Sequence, residues 1–352
     1  MKKFKIEEIE NKWQNNKEQI VVSIFCPTFN HENTISVAIE SFISQETNFP
    51  FEIIIVDDKS NDKTVSLIKQ YQEKYPNIIK TIFQKENKYS KNENLFRNYF
   101  LMNAKGKYLA ICDGDDYWCD SFKLQKQVDF LEANLEFSGC THNTKVLREN
   151  MNANKEEFIV NNNQKDIFTI NDYVRGEIYF HTSSVLYRLG NNKEKILELL
   201  SFYRGDWFLS MVFASFGPIK YLDEVMSVYR IHDKGVWSEL SAQEQVMKNL
   251  DAILKINKAF DYAYEENFMQ LFARVFITSK IDKSIANLSK LFDSLSKEEL
   301  VKIIFYIEQY TKKQEEHIAY EKELWQQRED HIQKIQSSFG WKVGSLIDKL
   351  RG

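Results

Sequence analysis

Residues 107–120 read KYLAICDGDDYWCD, an apolar run passing directly into Asp113, Gly114, Asp115 and Asp116. Three carboxylates within four residues at the end of a buried strand are costly unless a cation or strong donors face them. Hard oxygen ligands on such a turn suit Mg²⁺ or Mn²⁺, ions commonly shared with substrate phosphates. The turn therefore points to a metal-bridged diphosphate and from there to nucleotide-sugar chemistry.

Two further polar turns follow apolar runs in the same way. VVSIFCP (21–27) leads into CPTFN, and FEIIIV (51–56) leads into DDKSNDKT. Continuous apolar runs of this length, dense in β-branched residues, read as strands buried on both faces. Between them, Ile35, Ala38, Ile39, Phe42 and Ile43 share one helical face within 31–45, and Val65, Leu67, Ile68 and Tyr71 mark a second helix. IIKTIF (78–83) is a third strand, 91–104 a third helix and 107–112 a fourth strand. The β-α-β-α-β-α-β order predicts an α/β domain with a mostly parallel sheet and right-handed crossovers. Ligands of such sheets bind beyond the carboxyl ends of the strands, so the three polar turns converge on one rim.

After residue 120 the pattern changes to a helix over 122–134, shorter strands and Asn-rich loops, expected to form the opposite wall of the cleft up to about 240. Residues 241–280 and 284–308 carry apolar helical faces. The run 309–336 is dominated by Glu, Gln and Lys; within and just beyond it Ile318, Trp325, Ile332 and Phe339 recur every seven residues, so a solvated helix and an oligomerisation helix both remain open. Trp341, Val343, Leu346, Ile347 and Leu350 share a face flanked by Lys342, Lys349 and Arg351, which suits either a membrane interface or docking on the protein's own core. The expected organisation is a polar lead-in (1–19), a nucleotide-binding half (20–120), an acceptor-side half (121–240), a helical region (241–308) and a charged helix with an amphipathic tail (309–352).

Composition narrows the alternatives. The 352 residues are 43% hydrophobic and 28% charged with a net charge of −4, which leaves no global basic field for nucleic acid. The four cysteines, Cys26, Cys112, Cys119 and Cys140, have neither CxxC pairing nor zinc-like spacing and read as small buried apolar residues. No signal-peptide core opens the chain, and no window approaches the ~20 apolar residues of a membrane span, so a cytoplasmic location is expected. CPTFNHEN lacks the glycine fingerprint of a nicotinamide dehydrogenase, and no GxxxxGK[ST] loop is present.

The ordered series CPTFN, EIIIVDDKSNDKT, GKYLAICDGDDYW, GDW and YRIHDKGVWS resembles the inverting glycosyltransferases of family 2, over roughly residues 20–240. The resemblance implies the GT-A fold, a Rossmann-like mostly parallel sheet with flanking helices, here followed by a C-terminal helical extension. It also implies a nucleotide-sugar donor, UDP above others, and a divalent cation, Mn²⁺ or Mg²⁺. By that similarity Pro27 and Thr28 line the nucleotide pocket, Asp58 accepts a hydrogen bond from the base, and Asp57 supports its turn; capping of the next helix is the structural alternative.

Asp113 and Asp115 match the family's DxD pattern, Asp113 toward the ribose and Asp115 as metal ligand, with Gly114 permitting the tight turn. Asp116 would be an outer ligand or orient a basic side chain. Asp206 occupies the place of the general base, or caps the helix that follows; the residue before it, often Glu in the family, is Gly205 here. His232 would reach the metal or diphosphate, and Lys234, Gly235 and Trp237 would close over the donor phosphates, with Arg230 a further phosphate contact. His181, Thr182 and Ser183 would face the acceptor, a glycan or lipid-linked oligosaccharide at the inner membrane face. The alternative is a non-catalytic scaffold that keeps nucleotide or glycan binding.

Overall fold

The computed structural model describes residues 6–13, 19–148, 157–159, 165–176, 180–232, 240–279, 291–292 and 295–351, with side chains of the last helix given to 330 and at 333–334. Two compact units divide at Phe268 and Met269.

In the first unit, β1 (Val22–Thr28), β2 (Phe51–Asp57), β3 (Ile79–Phe83) and β4 (Tyr108–Ile111) pair in parallel, in the spatial order β3-β2-β1-β4. The apolar runs become strands because both of their faces are covered: every residue of β2 and β4 is buried. Helices α1 (Ile6–Glu10), α2 (Ile35–Ile43) and α3 (Thr64–Lys74) belong to this half. Ile9 and Trp13, inside the expected polar lead-in, are buried in the same core as Val22, Ile24, Phe42 and Phe51.

The third helix departs from expectation. Instead of an α-helix over 91–104, the chain forms a π-helical segment at Phe96–Leu101. Phe96 and Phe100 both pack on Phe25 of β1, at ring separations of 5.5 and 4.9 Å.

Beyond β4 the sheet becomes mixed. After β5 (Tyr117–Trp118) and α4 (Lys123–Ala133) come β6 (Gly139–Arg148), β7 (Glu157–Phe158), β8 (Ile167–Phe168), α5 (Ile170–Val174), β9 (Leu186–Arg188), α6 (Lys193–Leu199), α7 (Asp206–Ala214) and β10 (Ile219–Ile231). The order continues β4-β9-β6-β10-β5, with β9 antiparallel to both β4 and β6, and β6 parallel to β10. The flanking helices and this mostly parallel sheet bear out the α/β reading.

The helices α8 (Ala242–Ala259) and α9 (Glu265–Thr278) are separated by a turn where the sequence pattern runs on to 280. Ser241 and Glu244 form a capping box at the start of α8. In the second unit, Lys297–Arg351 is one continuous helix, on which Ile318 and Trp325 are exposed. The apolar face expected at Trp341–Leu350 lies on side chains outside the described ones. Among the described residues no helix is long and apolar enough to cross a membrane. Cys26, Cys112 and Cys140 are buried as expected, whereas Cys119, on the turn after β5, is exposed.

Candidate active site

The three polar turns meet through their backbones. Asp58 N–H donates to Thr28 O at 2.9 Å, and Gly114 N–H donates to Pro27 O at 3.0 Å. Parallel pairing aligns Thr28 with Asp57 and brings the end of β4 beside the end of β1, so residues far apart in sequence reach one rim. Side chains tighten the junction: Asn30 N–H donates to Ser60 Oγ at 2.8 Å, Asn61 N–H to Asn30 Oδ1 at 2.8 Å, and Thr34 Oγ1 to Gly114 O at 3.0 Å.

Gly114 is required by space. A Cβ there would stand 2.7 Å from Thr28 Oγ1 and 2.8 Å from His31 Nδ1. The two side chains also meet each other, with Thr28 Oγ1 and His31 Nδ1 3.1 Å apart.

Oxygens of Asp113, Asp115 and Asp116 lie within 4.8 Å of one another. Burial raises Asp113 well above the usual carboxylate range, reinforced by the charges of Asp115 and Asp206. Asp116 is raised in the same way, by burial and then by Asp115 and Asp113. Asp115 behaves differently. Burial works to raise it, but the hydrogen bond to His232 and the neighbouring His31 outweigh that and hold it below the ordinary value.

His232 Nε2 lies 3.1 Å from Asp115 Oδ2, and His31 Nε2 lies 3.7 Å from the same oxygen. Hard carboxylate oxygens crowded together, with an imidazole beside one of them, make a donor set that fits a small divalent cation. Asp115 and His232, both expected at the metal, are brought together. His31 was not anticipated; its only sequence signal is its place three residues after Thr28 on the β1 turn.

Asp116 turns away from Asp115's histidines. Its Oδ1 accepts Arg230 N–H at 2.8 Å, and its Oδ2 lies 3.5 Å from His181 Nε2. The Arg230 guanidinium packs over Tyr117 at 4.9 Å, and its Nε is buried with no hydrogen-bond partner among the described residues.

His181, Thr182 and Ser183, expected to face the acceptor, are instead interior, at 5%, 8% and 0% exposure. His181 stacks on Tyr229 with ring centroids 4.1 Å apart, and its Nδ1 is 2.8 Å from Ser183 Oγ. Ser183 Oγ continues to Ser227 Oγ at 2.9 Å, and Trp118 Nε1–H donates to Ser183 O at 2.9 Å. Burial pushes His181 down to about 4, so it is neutral near pH 7. Such a placement supports Asp116 from within rather than lining a cleft.

Lys123 belongs to the same interior, unforeseen by its charged neighbourhood in the sequence. Its Nζ bonds Gln127 Oε1 at 2.6 Å and sits 4.3 Å from the Trp118 ring centroid, and burial lowers it to about 7.

At the turn after β2, both Asp58 oxygens accept backbone amides: Oδ1 from Lys88 N–H at 2.7 Å and Oδ2 from Tyr89 N–H at 2.9 Å. Asp57 Oδ2 accepts Ser60 N–H at 3.0 Å, while its Oδ1 is buried without a partner among the described residues. Neither caps α3; Asp62 Oδ1 accepts Thr64 N–H there, at 2.9 Å. A carboxylate offers about four lone-pair positions, so Asp58 retains acceptor capacity.

Asp206 is the first residue of α7, with Gly205 in the cap position at φ 143°, a conformation that favours glycine. Asp206 is exposed at the head of α7, yet desolvation of its carboxyl by the surrounding chain raises it, and its charge in turn raises Asp113. Lys234, Gly235 and Trp237 lie outside the described residues.

The family model for Glycosyl transferase family 2 matches residues 23–186. An uncharacterized protein of Mycobacterium bovis is 36% identical over 218 residues, 61% of this chain and 60% of that protein, so the chain spans about three fifths of that relative. The UDP-Glc:alpha-D-GlcNAc-diphosphoundecaprenol beta-1,3-glucosyltransferase WfaP of Escherichia coli is 38% identical over 117 residues, 33% of this chain and 43% of that protein. Among solved structures, residues 1–349 of S. aureus TarS in complex with UDP-GlcNAc share the fold, with a TM-score of 0.53 at 19% identity, covering 82% of this chain and 79% of that one.

Proposed function

We propose that this chain, which through residues 23–186 belongs to family 2 of the glycosyl transferases, transfers a sugar from a UDP-linked donor to a glycan or lipid-linked acceptor with inversion. The observation that carries the reading is the meeting of three elements. They are the acids at 113–116, the Asp57–Asp58 turn beside them, and Asp206, exposed at the head of α7, whose charge raises Asp113.

The chain's own residues divide the work as follows. Thr28, Asp57 and Asp58 receive the nucleoside, with Asp57 Oδ1, which has no partner among the described residues, and the remaining lone pairs of Asp58 offered to N–H or O–H donors. Asp113 lies toward the ribose. Asp115, Asp113 and His232 would hold Mg²⁺ or Mn²⁺, which when bound neutralises charge on the departing diphosphate. Asp116, fixed by Arg230 N–H and His181, keeps the acidic turn in shape.

Asp206 takes the proton from the acceptor hydroxyl as that oxygen bonds to the anomeric carbon and the bond to the diphosphate breaks. Its raised proton affinity makes it a stronger base than an aspartate at the ordinary value. Attack from the side opposite the leaving group inverts the centre.

The name of the E. coli relative supports a lipid-linked acceptor and hence a role in surface polysaccharide synthesis at the inner membrane face. The helical tail beyond residue 337 would bring the enzyme close to that surface, and the exposed Ile318 and Trp325 would allow self-association.

A panel of UDP-, GDP- and dTDP-sugars incubated with Mn²⁺ tests the reading through release of the nucleoside diphosphate. Release from a UDP-sugar that disappears in Asp206→Asn supports it. Nucleotide binding with no turnover on any donor or acceptor would instead indicate a scaffold.

A further inference from the structure

The segment after β3 is fastened to the chain leading into Asp206 by contacts that neither the nucleotide site nor the acidic turn needs. Arg204 Nη1–H donates to Tyr89 O at 2.7 Å and to Glu93 O at 3.2 Å. The same guanidinium lies 4.0 Å from the Tyr89 ring centroid. Asn94 Nδ2–H donates to Leu200 O at 3.2 Å, and Arg97 Nε–H donates to Leu197 O at 2.8 Å. The far end of this segment is held by Asp58, through the amides of Lys88 and Tyr89. Arg204 itself immediately precedes Gly205, the turn from which Asp206 enters α7.

We propose that Arg204 is a positioning residue for Asp206: it pins the Gly205 turn to the 88–93 segment held by Asp58, so that the donor-side carboxylate and the acceptor-side base form one mechanical unit. The inference rests on the reading of Asp206 as the base.

Three physical facts favour it. A guanidinium that bonds two carbonyls while lying 4.0 Å from an aromatic ring centroid restrains the turn through three contacts at once, on a side chain whose planar head is pre-organised where a lysine ammonium is not. Gly205, at φ 143°, adopts a conformation with little steric restraint of its own, so the turn's orientation must be set by its neighbours. Tyr89 feels the charges of both Asp206 and Asp113, which places the strap along the site rather than behind it. A misplacement of about 1 Å in a reacting group can cost roughly 100-fold in rate, so a restraint of this kind matters even without touching substrate.

The test combines hydrogen exchange with kinetics on the full chain, comparing wild type with Arg204→Ala and Arg204→Lys. Removing the guanidinium should speed exchange by about 10-fold or more in two separate segments, 86–94 and 203–210, while β1 and β2 keep their protection. Arg204→Lys should fall between. In UDP release from a UDP-sugar with Mn²⁺, Arg204→Ala should lower kcat by about 10- to 100-fold with the UDP dissociation constant changed less than about 3-fold.

Unchanged exchange in 86–94 overturns the proposal. So does a loss of UDP affinity parallel to the loss of kcat, because Arg204 would then be a donor contact. If protection is lost throughout β1 and β2 in Arg204→Ala, the milder Arg204→Lys carries the same comparison. If wild type turns over no donor, the transferase reading fails, and the exchange result alone still decides whether the strap couples the two segments.

Discussion

His232 Nε2 lies 3.1 Å from Asp115 Oδ2 although 117 positions separate the two residues. The cause is strand pairing. β5 runs antiparallel to β10 with Ser227 opposite Trp118 and Val228 opposite Tyr117, so continuing that register carries residues 230–232 over the 113–115 turn. His31 approaches the same carboxylate oxygen from the β1 turn, at 3.7 Å. Asp115 is thereby held between two imidazoles contributed by opposite ends of the domain.

Replacing Asp206 by Asn should separate catalysis from donor binding. The amide keeps the volume but accepts no proton, so kcat should fall by about 100- to 10,000-fold. The UDP dissociation constant should move little. Calorimetry beside a kinetic assay checks both, and an equal loss of affinity would remove Asp206 from the base role.

Without metal, stability should fall as pH rises from the ordinary carboxylate range. Asp113, Asp116 and Asp206 all have raised affinities for protons in the fold. In the window between the unfolded and folded values the native state binds more protons than the unfolded state, so unfolding free energy decreases with pH there. A divalent cation stabilises the ionised acids and should offset that loss. The melting-temperature gain on adding Mn²⁺ should therefore be larger at pH 8 than at pH 5, and a gain independent of pH would contradict the assignment.

Much of this was readable in one dimension, and the reasons are specific. FEIIIV and KYLAIC announce buried strands because both of their faces are covered, and a parallel sheet then forces the turns after them onto one rim. The acids at 113–116 stood out because charges beside an apolar run demand an explanation, whereas Asp206 was singled out only by its place in the resemblance. What was not readable depends on three-dimensional neighbours. His31 is one polar residue among several on its turn until Asp115 folds beside it. His181 and Ser183 look like loop residues in sequence, yet Tyr229, Trp118 and Ser227 enclose them. Helical periodicity puts Phe96 and Phe100 on one face toward Phe25 but does not distinguish the π-helical segment at 96–101 from an α-helix.

Gly114→Ala should damage the site through space alone. The added methyl meets Thr28 Oγ1 at 2.7 Å and His31 Nδ1 at 2.8 Å, both inside van der Waals contact. A cost of about 1–3 kcal/mol is expected from such overpacking. Thermal unfolding should show it, together with weaker UDP binding. Wild-type affinity in this variant would mean that the Thr28–His31–Gly114 junction does not shape the nucleotide pocket.

Lys123→Met gives a pH test of opposite sign. Burial lowers the lysine to about 7, so between that value and its ordinary one the unfolded chain binds the extra proton and the native stability rises with pH. The wild type should gain stability relative to Lys123→Met between pH 7 and 9, measured by chemical denaturation at several pH values. Parallel curves for the two proteins would show that Lys123 is charged in the fold throughout.

The most direct measurement is a calorimetric titration of UDP into the protein with and without Mn²⁺, repeated on Asp115→Ala. Binding that requires Mn²⁺ and vanishes in Asp115→Ala is the predicted result. UDP binding of equal strength without the metal, or undiminished in Asp115→Ala, would contradict a metal-bridged diphosphate at the 113–116 turn.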